Sequence, residues 1–76
     1  MAELLAYLAR GLVDDPDAVE VEQIEREDAT VLQLRVAKDD VGKVIGRQGR
    51  IARALRAVVR ASGARSHRRV VLEILE

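Results

Sequence analysis

Two glycines three residues apart, Gly46 and Gly49, interrupt an otherwise helical stretch in the second half of the chain. Helical character precedes them over 41–45 and resumes over 50–61. Because glycine has no Cβ, it takes positive φ readily and lets another backbone approach closely. The pair therefore predicts a tight, open turn between a short helix and a long one, and any fold for this chain must accommodate that unit.

The spacing of apolar residues predicts the remaining elements. Leucines at helical spacing indicate a helix over 2–13. Alternation of apolar and polar residues indicates a strand near 19–24, a second over 31–36 and a final one over 70–75. The segment 27–29 is a plausible hairpin tip between the first two strands.

Local signals refine these boundaries. Ile24 falls out of phase with the alternation of its strand, which hints at a β-bulge. Asp39 and Asp40 are helix-capping residue types placed just before the short helix. Ser62 and Gly63 are expected to end the long helix, because glycine is common just beyond helix C-termini.

The resulting order is α-β-β-α-α-β. The first two strands form an antiparallel hairpin, and the third is reached through two helices, which makes it parallel to a neighbour by a right-handed crossover. We expect an α+β fold in which a three-stranded sheet carries its helices on one face. Residues 1–76 are expected to form a single domain, since a chain of this length supports one core.

The composition excludes several classes of function. There is no cysteine, so neither a disulfide framework nor a thiolate metal site is available, and His67 is the only histidine. No nucleophile–base pair, metal cluster or carboxylate dyad is recognisable, so we expect no enzyme activity, no metal and no cofactor. No apolar run approaches the ~18 residues of a membrane span, and no basic segment typical of a signal peptide opens the chain, so we expect a cytoplasmic protein. Tyr7, the only aromatic residue, is expected to be a partly buried packing residue of the first helix.

Charge is distributed unevenly although the formal net charge is zero. Residues 1–40 hold eleven acidic and four basic side chains, whereas residues 41–76 hold nine basic and two acidic ones, which gives −7 and +7. Such asymmetry favours a basic working face with nucleic acid as partner. The alternative is that the two sets of charges simply pair across the fold.

The segment 42–51 is the strongest candidate site. Its glycine turn exposes backbone, and the helix that follows presents unpaired N–H groups and the positive end of its dipole to that turn. Lys43, Arg47 and Arg50 add positive charge at the same place. This combination suits a sugar–phosphate backbone, although two glycines could also serve only a sharp helix–helix turn. Arg53, Arg56 and Arg60 cluster on one side of the long helix, and a solvated helix face is the simpler interpretation for Arg56 and Arg60.

The string Val44-Ile45-Gly46-Arg47-Gln48-Gly49-Arg50-Ile51 resembles the signature of KH domains, whose Gly-x-x-Gly loop clamps nucleic-acid backbone. With the order of elements, the chain is similar to the type II, prokaryotic KH arrangement and to the small bacterial KhpA family. The resemblance implies that the chain is a single-stranded RNA-binding adaptor or RNA chaperone. The RNA-binding residues that it implies are Gly46, Arg47, Gln48 and Gly49 as the clamp, with Lys43, Arg50 and Arg53 as nearby charge and Val44 and Ile45 beside the loop.

The resemblance also implies protein partners. Members of this family are thought to self-associate and to pair with a larger Jag-type RNA-binding protein, and neither partner can be worked out from spacing or composition. An alternative function is therefore a protein-interaction or dimerisation module on a KH fold with little RNA binding.

The composition also limits how RNA bases could be contacted. With no aromatic residue near the loop, bases would rest on aliphatic side chains and not on stacking platforms.

Overall fold

The expected order of elements is confirmed in a computed structural model, which describes residues 1–65 and 67–75. The elements are α1 (Ala2–Arg10), β1 (Glu20–Glu25), β2 (Ala29–Arg35), α2 (Val41–Ile45), α3 (Arg50–Arg65) and β3 (Arg69–Leu75), with single 3₁₀ turns at Pro16–Ala18, Lys38–Asp40 and Arg47–Gly49. Within the described part of the chain, no helix is long and apolar enough to cross a membrane.

The three strands form one mixed sheet in the order β1-β2-β3. β1 and β2 pair antiparallel as a hairpin, with Glu20 opposite Arg35. β2 and β3 pair parallel, with Leu32 opposite Leu72. The predicted crossover through two helices is therefore confirmed, and it leaves β3 as an edge strand beside α3.

The expected β-bulge is absent, because β1 and β2 pair one to one without an extra residue. Ile24 lies opposite Val31, which in turn lies opposite Val71. Successive side chains of a strand point to opposite faces, so these three form a small apolar row on the face away from the main core. Ile24 is out of phase because it belongs to that second face.

The main core lies between the other face of the sheet and the helices. Its largest fully buried side chains come from α1, β2, α2 and α3: Leu5, Leu32, Leu34, Val44 and Val59. Each such side chain stabilises the fold by about 1.5–3 kcal/mol through burial of apolar area. All are aliphatic, as the composition requires.

The first helix is shorter than expected, because it ends at Arg10 and not near residue 13. Its buried face consists of Leu5, Ala6 and Ala9, and the small alanines let the helix lie close to the sheet. Leu4 and Tyr7 face outward, with 47% and 70% of their surface exposed. The expectation that Tyr7 is partly buried was therefore wrong.

The long helix continues past the expected stop, to Arg65. Gly63 is buried inside it, where an added Cβ would come within 2.5 Å of the Arg68 carbonyl oxygen and 2.7 Å of Val70 Cγ2. This glycine therefore serves close packing of α3 against the start of β3 and not helix termination.

Candidate nucleic-acid interface

The loop between α2 and α3 has the open backbone that its glycines predict. Gly46 has φ +77° and Gly49 has φ +76°, both in the region that favours glycine. Gly46 also lies directly against Ile51, since a Cβ there would be 2.7 Å from Ile51 Cγ1 and 2.9 Å from the Ile51 backbone nitrogen. A Cβ at Gly49 would meet only the tip of Arg53, at 3.6 Å. Gly46 is thus required for both conformation and space, and Gly49 for conformation.

Gln48, between the glycines, also has positive φ (+57°) although it carries a side chain. Arg53 Nη1 donates a hydrogen bond to the Gln48 carbonyl oxygen at 2.9 Å, and the Gly49 N–H donates to the Gly46 carbonyl at 3.1 Å. These two bonds hold the turn from both sides. The sequence motif contains no signal for this strained conformation at Gln48.

Two of the predicted cations lie exposed at the loop. Arg47 lies within it, and Arg50 is the first residue of α3. Within residues 1–65 and 67–75, neither makes an ion pair or a side-chain hydrogen bond, so both guanidinium groups are available. The start of the 16-residue α3, where the positive end of the helix dipole lies, is at the same place.

Lys43, also predicted at the site, is held by acidic neighbours. Its ammonium lies 3.1 Å from Asp14 Oδ2 and 3.5 Å from Asp40 Oδ1. The hydrogen bond and charge of Asp14, followed by Asp40, raise the pKa of Lys43. Lys43 therefore links α2 to the segment after α1, and its positive charge is already balanced.

Asp40 anchors this link from a buried position. Its carboxylate makes no helix-capping hydrogen bond and instead accepts one from the Asp15 N–H at 3.0 Å. Burial opposes the charged carboxylate, but backbone hydrogen bonds from Asp15 and Asp14 and the Lys43 ammonium outweigh it and lower the pKa of Asp40. The residue type was correctly associated with the start of α2, but its role is to attach that helix to the preceding loop.

The aliphatic residues of the motif differ in their placement. Val44 is completely buried in the core, so it fixes α2 against the sheet and offers no surface beside the loop. Ile45 and Ile51 are half-buried at the two ends of the turn. Of the two aliphatic residues named beside the loop, Ile45 alone retains exposed surface there.

A groove with basic walls runs between α3 and β3. It has a volume of about 320 Å³ and is lined by Arg56, Arg60 and Ala64 of α3, and by Arg68 and 69–72 along β3. Four residues spaced three or four apart connect the loop to this groove along one side of the helix: Gly49, Arg53, Arg56 and Arg60. The groove therefore continues the cationic surface that begins at the loop.

The sequence alone does not predict the full lining of this groove. A solvated helix face is the simpler interpretation for Arg56 and Arg60, and both are exposed, whereas Arg68 and Arg69 are not singled out. The i, i+4, i+7, i+11 spacing of Gly49, Arg53, Arg56 and Arg60 could have indicated the continuous surface. The approach of Arg69 from a distant strand could not be found without the parallel crossover.

Arg68 fixes one wall of the groove. Its guanidinium donates to Thr30 Oγ1 at 2.7 Å and to the Arg26 carbonyl at 2.7 Å, and pairs with Glu25 at 3.1 Å. Hydrogen bonds from Gln23 and Thr30, with the charge of Arg68, lower the pKa of Glu25. Arg68 thus ties the beginning of β3 to the hairpin, whereas Arg56, Arg60 and Arg69 have no such partner within the described residues.

A second groove lies on the opposite side of α3 and is apolar. It has a volume of about 360 Å³. Its lining residues are Leu8 within α1, Leu12 just after α1, and Arg50, Ile51, Ala54, Leu55 and Val58 of α3. Leu4, one turn before Leu8, and Val58 are large exposed apolar residues at this side. α3 therefore separates a basic groove from an apolar one.

Sequence comparisons identify relatives along the whole chain. Residues 2–74 match the family model described as KhpA/KhpB, KH domain. The chain is 55% identical to the RNA-binding protein KhpA of Treponema pallidum over 74 residues, 97% of this chain and 92% of that protein. It is 48% identical to the RNA-binding protein KhpA of Caldanaerobacter subterraneus subsp. tengcongensis over 75 residues, 99% of this chain and all of that protein.

Structural comparison finds the same fold inside a larger protein. The chain matches a crystal structure of Aquifex aeolicus Era bound to GDP.AlF4- with a TM-score of 0.64 and 20% identity, over 96% of this chain and 28% of that one. A crystal structure of Era in complex with MgGDPNP and nucleotides 1506–1542 of 16S ribosomal RNA matches equally well, with a TM-score of 0.64. The chain spans little more than a quarter of Era, and the likeness establishes the type II KH fold. With the family match over 2–74, it follows that this chain belongs to the KhpA/KhpB family of KH domains.

Proposed function

We propose that this chain is a single KH domain that binds single-stranded RNA, with the loop 46–49 clamping the sugar–phosphate backbone. The observation that carries the proposal is the open backbone at Gly46 and Gly49 beside two available cations, Arg47 and Arg50. A phosphate that approaches this loop meets open backbone, the start of α3 and full positive charge together. The names of the relatives, RNA-binding protein KhpA, support the same partner.

The basic groove gives the strand a path beyond the loop. Arg56, Arg60 and Arg69 provide cations along the groove, and its floor offers aliphatic surface from Val70 and Leu72. Bases would contact this surface and hydrogen-bond at their edges, since Tyr7 is the only Phe, Trp or Tyr residue of the chain and does not line the groove. Base preference would then rest on hydrogen bonding and groove shape more than on stacking.

Electrostatics sets the expected strength of binding. If Z phosphates are neutralised, log affinity falls with log salt concentration with a slope of about −0.7Z for single strands. The few cations along this surface imply a small Z and a dissociation constant on the order of micromolar, about −8 kcal/mol. We propose binding without catalysis, in the cytoplasm, in the manner of an RNA adaptor or chaperone.

The direct test replaces the two middle residues of the loop. The double variant Arg47→Asp, Gln48→Asp should abolish binding to short oligoribonucleotides, because it places two negative charges where the phosphate would lie. Circular dichroism and thermal melting should stay close to wild type, since both side chains are exposed. Arg10→Asp, an exposed substitution at the end of α1, is the matched control and should weaken binding only slightly. Full binding by the loop variant would contradict the proposed clamp.

A second candidate function is supported by the apolar groove between α1 and α3. Half-buried Leu8, Leu12 and Ile51 with exposed Leu4 and Val58 form the kind of contiguous apolar surface that marks protein interaction sites. We propose that a second copy of the chain or a related KH-containing protein packs there. RNA binding and pairing are compatible, because the two grooves lie on opposite sides of α3 and two linked domains would bind RNA with avidity.

Light scattering separates the two functions. Val58→Asp places a charge on the rim of the apolar groove and should convert a dimer to a monomer while leaving RNA binding per domain largely intact. The loop variant Arg47→Asp, Gln48→Asp should remain dimeric. A dimer that dissociates only in the loop variant would show that the loop serves protein contact instead.

A further inference from the structure

Arg53 is used differently from the other arginines on its side of α3. Its Nη1 donates a hydrogen bond to the Gln48 carbonyl oxygen at 2.9 Å. Arg56 and Arg60, on the same side of the helix, make no side-chain hydrogen bond within residues 1–65 and 67–75. Of these three arginines, Arg53 is therefore directed back at the loop, while Arg56 and Arg60 line the groove.

The bond from Arg53 acts on a peptide unit that is also held from its other edge. The Gln48 carbonyl and the Gly49 N–H belong to one planar peptide group. The N–H donates to the Gly46 carbonyl at 3.1 Å, and the carbonyl accepts from Arg53. Together the two bonds fix the rotation of this peptide, and hence the course of the backbone between Gly46 and Gly49.

This peptide needs to be held because of the conformation that precedes it. Gln48 has φ +57°, which is unfavourable for a residue with a Cβ and persists only where surrounding contacts impose it. Gly46 and Gly49 accept their positive φ values without help. Gln48 is thus the position of the loop that depends on an external contact, and Arg53 provides it.

We infer that Arg53 is a positioning residue, which holds the Gln48–Gly49 peptide and thereby keeps the loop in the conformation that receives RNA, and that it does not serve chiefly as a phosphate ligand. The inference rests on the proposed function of the loop. The position of Arg53 beside Arg56 and Arg60 would suggest direct phosphate contact, but its hydrogen bond to the Gln48 carbonyl assigns Arg53 to the loop backbone.

The test uses Arg53→Met, which keeps most of the side-chain stem and removes the donor, with Arg56→Met as the matched control that removes the same charge one turn away. In the free protein, amide exchange of Gly49 measured by NMR should accelerate roughly tenfold in Arg53→Met and stay at the wild-type rate in Arg56→Met. Affinity for a short oligoribonucleotide should fall roughly three- to tenfold in Arg53→Met. Adding Gln48→Gly to Arg53→Met should restore most of that loss, because glycine takes positive φ unaided.

Two results would overturn the inference. Gly49 exchange that is equal in wild type, Arg53→Met and Arg56→Met would show that Arg53 does not hold the peptide. A loss of affinity that Gln48→Gly fails to rescue, with a salt slope reduced as in Arg56→Met, would make Arg53 a phosphate ligand. If wild-type protein binds no RNA, the proposed function fails, and the exchange rates of the free protein still decide whether Arg53 braces the loop.

Discussion

At the scale of single residues, the loop depends on glycine for two separate physical reasons. Gly46 combines positive φ with direct contact against the Ile51 backbone, whereas Gly49 has positive φ with open space around it. The sequence predicted that both glycines form an open turn, and the φ angles agree. It could not predict that Gln48 shares this conformation, because the brace comes from a side chain five residues away.

Two single alanine variants, at Gly46 and at Gly42, compare the cost of a Cβ in the loop with the gain in helix propensity, each as a change in the free energy of unfolding. Gly46→Ala should destabilise the fold by about 2–3 kcal/mol, since a Cβ meets Ile51 backbone and φ becomes unfavourable. Gly42→Ala, in α2 with nothing within 4 Å of the new Cβ, should be neutral or stabilise by up to about 1 kcal/mol. Urea denaturation measures both. Equal stabilities of the two variants would contradict the assigned role of Gly46.

At the scale of elements, apolar periodicity predicted α1, α3 and the three strands, and capping residues with the glycine interruption predicted α2, but several ends were placed wrongly. Alternation in β3 and helical spacing in α3 are strong signals, because each element buries one face more than the other. The central strand β2 is buried on both faces over its first four residues. The end of α3 was missed since Gly63 looks like a C-terminal signal, although it is needed for packing on β3. A local sequence pattern does not distinguish these two uses of glycine.

The packing role of Gly63 predicts a large effect of a single methyl group. Gly63→Ala should destabilise the fold by about 1–3 kcal/mol, because the Cβ would collide with the Arg68 carbonyl and Val70. Gly11→Ala is the matched control, since its Cβ would meet only ordinary contacts, the nearest at 3.5 Å from the Leu8 carbonyl oxygen. Thermal melting of both variants makes the comparison. If Gly63→Ala melted at or above the wild-type temperature, helix propensity would outweigh the close contact.

The attachment of α2 predicts a dependence of stability on pH. The pKa of Asp40 is lowered from an ordinary value of 3.8, so the folded state favours its charged form. This contribution is complete above the ordinary value and is lost as pH falls through the lowered one. Asp40→Asn should therefore be less stable than wild type at pH 7, and the difference should shrink from roughly pH 5 downward.

Denaturation of both proteins at several pH values measures this difference in the free energy of unfolding. Asp39→Asn is the control, because Asp39 is exposed and makes no ion pair within the described residues, so it should follow the wild-type profile. A difference between wild type and Asp40→Asn that stays constant from pH 7 to pH 3 would contradict the role of the charged carboxylate.

At the scale of the whole molecule, α3 divides the surface into two grooves of opposite character. The basic one joins the loop to Arg56, Arg60 and Arg69, and the apolar one joins α1 to α3. The sequence indicated a basic second half and a site at 42–51. It could not indicate that Arg69 lines the basic groove, because Arg69 reaches α3 only through the parallel pairing of β2 and β3.

The most direct test of RNA binding at the loop maps a bound strand on the amide spectrum. A short single-stranded oligoribonucleotide is titrated at low ionic strength, where electrostatic contacts are strongest. We expect the amide signals of 46–50 and of the basic groove to shift, and those of α1 beside the apolar groove to stay in place. Signals of 46–50 that remain unmoved at saturating RNA, or shifts confined to α1, would contradict RNA binding at the loop.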